Sequence, residues 1–113
     1  MNAKVTRLAD GQVGVVTIAG EIDFSVLPDV RQAFVEALGG GSPCLVVDLS
    51  DVSFIASDGL GVLIEAQHQA DAAGRTLQLV HPQPHILGLL RKTQLTRLFH
   101  IHETLDDALK NCS

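Results

Sequence analysis

The run from Cys44 to Leu49 constrains the fold more than any other segment, because it does not alternate between apolar and polar residues. A strand that is apolar on both faces is covered on both sides, which is the position of a central strand in a parallel sheet. Helices have to supply that cover, so strands and helices are expected to alternate along the chain. This run therefore predicts an α/β fold.

The rest of the 113 residues supplies the other elements. Lys4–Leu8 and Val13–Ile18 are predicted to form a hairpin around Asp10 and Gly11, and the segment from Gly20 to Asp23 is predicted to end the second strand. The later predictions, in chain order, are a helix from Pro28 to the glycines at 39–41, the strand Cys44–Leu49, a short stretch Val52–Ile55, a helix from Ser57 to about Ala73 capped by Gly74, a strand Thr76–Val80, a helix after Pro84, a strand Leu98–Ile101 and a helix Thr104–Lys110.

The resulting order, β-β-α-β-α-β-α-β-α, indicates a mixed sheet of four to five strands with about four helices. No linker, repeat or low-complexity segment interrupts it, so we expect residues 1–113 to form a single domain.

Composition excludes several kinds of partner. The net charge is −5 and the basic residues do not cluster, which disfavours nucleic acids and anionic membrane surfaces. Four Phe with no Trp or Tyr leave no aromatic platform for single-stranded nucleic acid. The chain has no apolar run of transmembrane length and no apolar stretch near Met1, so we expect a cytoplasmic protein that does not insert into a membrane.

The cysteines and histidines give no metal signature. Cys44 and Cys112 are far apart in the sequence, and in a reducing cytosol we expect free thiols, with Cys44 buried, rather than a disulfide. His81 and His85 flank two prolines in a predicted loop, and His100 and His102 are spaced to share one face of a strand. With His68 included, no HxxxH or Cys/His cluster occurs, so no metal site is expected.

Ser57 stands at the junction between the central strand and the second helix. It is predicted to be the helix N-cap, where its hydroxyl would accept hydrogen bonds from the first turn and contribute about 1 kcal/mol. A helix start also favours negative charge, so a phosphate on Ser57 would be tolerated by its own chain. Gly59 and Gly61 leave room for another backbone or a partner surface to approach this turn.

The stretch from Val46 to Leu63, VVDLSDVSFIASDGLGVL, resembles the signature of STAS domains, in particular of bacterial anti-sigma factor antagonists. The Gly20-Glu21-Ile22-Asp23 segment is similar to a second motif of that family, and the predicted order of elements is the family's order. The resemblance extends over essentially the whole chain.

The resemblance implies that Ser57 is a phosphoacceptor and that Glu21 and Asp23 lie near the surface that faces a kinase. It implies an anti-sigma factor antagonist that binds an anti-sigma factor with serine kinase activity and releases it once Ser57 is phosphorylated, with a phosphatase resetting the cycle. ATP and magnesium would belong to the kinase, so the chain itself would need no cofactor and have no enzymatic activity. The partner-binding residues implied by the motifs are Glu21, Asp23, Ala56, Ser57, Asp58, Gly59, Leu60 and Gly61.

Two positions depart from the family pattern. Ala56 replaces an aspartate, which removes one acidic contact with a kinase, and Asp58 replaces a second Ser or Thr. The Asp58 carboxylate either weakens recognition by the kinase or partly mimics the phosphorylated state. The alternative is therefore a STAS subunit that does not switch, in a membrane-associated ABC complex for lipid transport.

Enzymatic interpretations have less support. A small hydrolase with Ser57 as nucleophile lacks the G-x-S-x-G pattern. Glu21 and Asp23 as a general acid/base pair would need a substrate cleft between two carboxylates, which a chain of this length does not make evident. Solvated turn residues are a second interpretation of both carboxylates.

Overall fold

Strands and helices alternate after an initial hairpin, as predicted. A computed structural model describes residues 3–8 and 11–112, except for the side chains of residues 7 and 8. Asp10, predicted to start the first turn, lies outside the described residues. The elements are β1 (Ala3–Leu8), β2 (Val13–Ile22), α1 (Leu27–Gly39), β3 (Cys44–Ile55), α2 (Ser57–Ala72), β4 (Thr76–Val80), α3 (Pro84–Lys92), β5 (His100–His102) and α4 (Leu105–Lys110), with single 3-10 turns at Phe24–Val26 and Leu95–Arg97.

The five strands form one sheet in the order β1-β2-β3-β4-β5, with β3 at its centre. β1 pairs antiparallel with β2, and every other pairing is parallel. The predicted mixed sheet is therefore confirmed. Each helical crossover connects a strand to its immediate neighbour, always toward the β5 edge of the sheet. Because these crossovers share one handedness, α1, α2 and α3 lie on the same face of the sheet.

The larger core lies on that face. It joins the inner residues of α1 and α2 to alternate residues of the sheet, including Val47, Leu49 and Leu79. On the opposite face, α4 covers a smaller cluster through Ala108, packed over Cys44 and Val46. The apolar run in β3 is thus covered on both sides, as predicted, but α4 covers only its first part. Further along the strand, Asp48 is half-buried and Ser50 is exposed on the open face.

The two central strands are longer than predicted. β2 continues to Ile22, and β3 is one strand of 12 residues rather than a strand followed by a separate short stretch. Parallel pairing from Ala19↔Asp51 to Ile22↔Ile55 holds both extensions in the sheet, with register irregularities before and after Gly20. The glycine therefore marks an irregularity in the pairing and not the end of the strand.

The last strand is shifted relative to the prediction of Leu98–Ile101. The backbone N–H groups of Leu98 and Phe99 both donate to the carbonyl of Leu95 in a 3-10 turn, so these residues do not join the sheet. β5 begins at His100 instead. The predicted cap of α2 is confirmed, because Gly74, with a φ of +72°, follows its last turn. At the start of α4, the Thr104 side chain accepts from the N–H of Asp107.

The prediction of free thiols is wrong in this structure, where Cys44 and Cys112 form a disulfide with a Cα–Cα distance of 5.4 Å. Cys44 starts β3 on the face that α4 covers, and Cys112 follows the end of α4. The docking of α4 brings together two residues that are 68 positions apart. No helix in the described part of the chain is both long and apolar enough to cross a membrane.

Candidate functional site

The candidate site forms where β2 and β3 end side by side. Ile22 and Ile55 are partners in the sheet, and the N–H of Ala56 donates to the carbonyl of Ile22 at 2.9 Å. This hydrogen bond extends the pairing one residue beyond β3, so that α2 starts at once with Ser57. The strand ends thereby hold the first turn of α2 at the edge of the sheet.

Ser57 is the first residue of α2 and not its N-cap, which corrects the sequence prediction. Ala56 occupies the cap position with extended backbone angles, and its carbonyl accepts the first helical hydrogen bond, from Leu60 at 3.1 Å. The Ser57 side chain is exposed, and within residues 3–8 and 11–112 its hydroxyl makes no hydrogen bond. The hydroxyl is therefore accessible from solvent, and it does not stabilise the helix as a cap.

The two glycines of the first turns have different environments. Gly59 is buried, and a Cβ there would lie 2.7 Å from Ile22 Cγ2 and 3.0 Å from Ile55 Cγ2. The close approach that Gly59 permits is thus between α2 and the strands of its own chain. Gly61 is exposed, with open space where its Cβ would be. Of the two, only Gly61 offers surface to a partner.

The two acidic residues at the end of β2 also differ. Glu21 is exposed and pairs in register with Phe54 of β3. Asp23 instead caps the 3-10 turn: its Oδ1 accepts from the hydroxyl of Ser25 at 2.6 Å and from the N–H of Ser25 at 3.0 Å. The hydrogen bond from the Ser25 side chain, followed by that from its backbone, lowers the pKa of Asp23. Asp23 is therefore ionised at neutral pH, with one of its oxygens already used within the chain.

Two exposed aromatic residues at this edge were not singled out from the sequence. Phe24 is 80% exposed in the turn after β2, and Phe54 is 48% exposed near the end of β3. Large exposed apolar side chains next to a polar rim are typical of protein–protein contact sites. Their positions in the sequence could have identified them, since Phe24 directly follows the Gly20–Asp23 motif and Phe54 lies inside the Val46–Leu63 motif.

We call the exposed part of this edge the Ser57 surface. It consists of Glu21, Phe24, Phe54, Ser57, Asp58 and Gly61. Of the other residues in the implied partner set, Ala56 and Leu60 are half-buried, and Leu60 packs against the main core. The surface combines a free hydroxyl, two aromatic rings and two carboxylates, a composition suited to binding a protein.

None of the five histidines belongs to the Ser57 surface. His85 belongs to α3 rather than to a loop, with its Nε2 2.5 Å from the carbonyl of Ser53. His81 and His102 line a cleft beyond β4 and β5, and His100 and His68 are exposed. Among residues 3–8 and 11–112, no group of three or more His, Cys, Asp or Glu side chains is placed to hold a metal ion.

Fold and site together define a class of protein. A family model of the STAS domain matches residues 4–108, so the chain belongs to the STAS domain family. The resemblance noted in the sequence is thereby confirmed.

Several proteins that this chain is similar to are named anti-sigma factor antagonists. The crystal structure of one from Mycobacterium paratuberculosis superposes with a TM-score of 0.86 at 31% identity, over 97% of this chain and 92% of that chain. The anti-sigma-B factor antagonist of Staphylococcus epidermidis is 24% identical over 103 residues, which cover 91% of this chain and 95% of the relative. The Bacillus cell fate determinant SpoIIAA in its phosphorylated form shares the fold, with a TM-score of 0.74 at 17% identity over 98% of this chain and 99% of that chain.

Proposed function

We propose that this protein is an anti-sigma factor antagonist that acts by partner switching, with Ser57 as the switch. In its unmodified form it binds an anti-sigma factor that has serine kinase activity, through the Ser57 surface. The kinase then transfers a phosphoryl group from its own ATP to the Ser57 oxygen, and the complex dissociates. A phosphatase restores the hydroxyl. The observation that carries the proposal is the exposed Ser57 hydroxyl, free of hydrogen bonds within the described residues and placed on the first turn of α2.

The structure supports a modification that changes binding but leaves the fold intact. A phosphate would add a charge of about −1.5 to −2 at neutral pH. At the first residue of α2 that charge would face the electropositive end of the helix, where anions are stabilised. Within the described residues, no group forms a hydrogen bond with the Ser57 hydroxyl. Modification of Ser57 would therefore break no such bond, and the domain would stay folded.

The same charge would oppose binding at the Ser57 surface. Phe24 and Phe54 contribute to affinity only if a partner removes them from water. A phosphate in the same interface would have to be desolvated too, which is costly for a charged group without a matching cation. SpoIIAA, which shares the fold and has a known phosphorylated form, is a precedent for such a modified state.

A STAS subunit that does not switch is the second candidate, and Asp58 is the observation that favours it. Asp58 is exposed beside Ser57 in the first turn of α2. It stabilises the helix start by its own charge, and it gives the surface a permanent negative charge next to the acceptor. In a membrane-associated ABC complex for lipid transport, Ser57 would then contact a partner subunit without being phosphorylated.

Intact-mass measurement of the protein purified from its own cells, with peptide mapping across Ser57, tests the proposal. We expect a fraction that carries one phosphate on Ser57, and no phosphorylated fraction in Ser57→Ala. The same preparations of Ser57→Ala should retain the kinase as a stable partner. Protein that is unmodified under all growth and stress conditions and co-purifies with an ATPase subunit would overturn the switch in favour of the second candidate.

A further inference from the structure

A second site lies beyond the carboxyl ends of β4 and β5, and none of the residues that line it belongs to the Ser57 surface. A cleft of about 710 Å³ opens there, with one wall formed by α3 and the other by β5 and the turn before it. The wall from α3 presents Pro84, Leu87 and Arg91, which are spaced i, i+3 and i+7 and so share one helical face. The carboxyl ends of parallel strands are where open α/β sheets usually bind ligands.

Part of the cleft wall is apolar and could hold the apolar part of a small molecule. Of its apolar residues, Leu87 and Ile101 are half-buried and Phe99 is buried. Ligand sites typically have volumes of roughly 300–1,000 Å³, with mostly apolar walls and a few polar groups that fix the orientation of the ligand. The volume of this cleft falls in that range, and its walls combine apolar residues with polar and charged ones in about equal number.

The polar groups of the cleft include opposite charges that do not neutralise each other. Arg91, in the last turn of α3, and Glu103, directly after β5, both line the cleft and are exposed. Within the described part of the chain, neither side chain forms an ion pair or a hydrogen bond. A guanidinium and a carboxylate that share a cleft but are unpaired are complementary to a ligand that carries both an anionic and a cationic group.

The two histidines of the cleft are held in fixed positions by the sheet. His102 Nε2 lies 2.6 Å from Oε1 of Gln78, whose side chain is 2% exposed, so a buried amide orients the imidazole. His81 has a φ of +56°, which a non-glycine residue rarely adopts, and its N–H donates to the carbonyl of His102 at 3.1 Å. Backbone in such a conformation occurs preferentially at ligand sites, where the surrounding structure maintains it.

We propose that this cleft binds a small amphipathic zwitterion of the class of apolar α-amino acids. Arg91 would bind the carboxylate and Glu103 the ammonium group, while the side chain would pack against Leu87, Phe99 and Ile101. No residue of the cleft belongs to the Ser57 surface, so this binding is a property beyond the proposed function. It does not depend on phosphorylation or on an anti-sigma factor.

Titration of the ¹⁵N-labelled protein with L-phenylalanine, followed by amide NMR shifts, tests the ligand class. We expect saturable shifts at His81, His102 and Glu103. 3-Phenylpropionate, which lacks the ammonium group, and 2-phenylethylamine, which lacks the carboxylate, should each bind at least tenfold more weakly. The proposal is overturned if neither L-phenylalanine nor L-leucine shifts these amides at millimolar concentration, or if 3-phenylpropionate binds as tightly as L-phenylalanine.

Variants separate the two charges. Arg91→Gln and Glu103→Gln should each weaken L-phenylalanine binding about tenfold, and Glu103→Gln should leave 3-phenylpropionate binding unchanged. Lys92→Gln and Asp106→Asn are matched controls, since both residues are exposed neighbours outside the cleft, and they should bind as the wild type does. Ser57→Ala should also bind L-phenylalanine as the wild type does. A failure of amino-acid binding at the cleft can therefore be distinguished from a failure of the phosphorylation switch. Equal loss in the control variants would overturn the assignment of the charges.

Discussion

Gly59 lies so close to Ile22 that a Cβ on the glycine would be 2.7 Å from the Cγ2 atom of the isoleucine and 3.1 Å from its carbonyl oxygen. The same isoleucine carbonyl accepts the hydrogen bond from Ala56 that positions the start of α2. The glycine of the motif is thus required inside the protein, where it lets the helix sit on the end of β2. The position of Ser57 depends on this packing.

We therefore predict that Gly59→Ala destabilises the fold although alanine is the better helix former. Overpacking typically costs about 1–3 kcal/mol, which exceeds the helix-propensity gain of up to about 1 kcal/mol. Gly61→Ala is the matched control, because its Cβ meets nothing within 4 Å. It should stabilise the protein by about 0.5–1 kcal/mol. Urea denaturation of both variants measures the difference, and equal stabilities would contradict this account of Gly59.

Ser57 should be replaceable without loss of stability. Because its hydroxyl is not a cap, Ser57→Ala should change the free energy of unfolding by less than about 0.5 kcal/mol, where loss of a true N-cap costs about 1 kcal/mol. Thr104→Ala, which removes a cap hydrogen bond to the N–H of Asp107, supplies the comparison and should show that larger cost. A loss of 1 kcal/mol or more in Ser57→Ala would show that the hydroxyl does cap α2.

The sequence allowed the layered architecture to be predicted because the spacing of apolar residues indicates which face of each helix or strand is buried. The continuous apolar run at Cys44–Leu49 indicates a strand that is buried on both faces. Val30, Ala33 and Phe34 are spaced i, i+3 and i+4, which indicates the buried face of α1. The position of Ser57 differed from the prediction by one residue, since the hydrogen bond between Ala56 and Ile22 decides where the helix starts. Local sequence does not record a contact between residues 34 positions apart.

Other features depend on how whole elements dock. The disulfide requires α4 to pack on β3, and the exposure of Phe24 and Phe54 requires two strands to end at the same edge. Gly59 was identified from the sequence as a position of close approach, but the approaching group is Ile22 of the same chain. Motif matching locates such residues, whereas their roles follow from the surroundings.

The disulfide between Cys44 and Cys112 should contribute to stability by constraining the unfolded chain. In the chain-entropy account, closing a loop of this length stabilises the folded state by about 4 kcal/mol. Cys112→Ser should therefore lower the denaturation midpoint under oxidising conditions, and the wild type should lose a similar amount on reduction. Reductant should leave the stability of Cys112→Ser unchanged. A wild type equally stable with and without reductant would contradict this prediction.

The carboxyl group of Asp23 should titrate below its ordinary pKa of 3.8 because Ser25 donates to it. A lowered pKa in the folded state contributes stability that is present above pH 3.8 and is lost as the pH falls through the folded-state pKa. Ser25→Ala should raise the pKa of Asp23 toward the ordinary value, as followed by carboxyl ¹³C shifts. Ser53→Ala, at another exposed serine, should not move it. An unchanged pKa in Ser25→Ala would show that the hydrogen bond from the Ser25 hydroxyl is not its main cause.

Gln67, in the middle of α2, should be replaceable by an apolar residue with a gain in stability. Its side chain is 2% exposed and its Nε2 donates to Asp71 at 2.9 Å, but its Oε1 has no hydrogen-bond partner among the described residues. An unsatisfied buried acceptor costs about 1–3 kcal/mol, whereas the exposed Asp71 carboxylate can replace its hydrogen bond from Gln67 with one from water. Gln67→Leu should therefore raise the free energy of unfolding by about 1 kcal/mol. Gln69→Leu, at an exposed position on the same helix, should leave it within about 0.5 kcal/mol of the wild type. A lower stability of Gln67→Leu would mean that the buried amide is satisfied in solution.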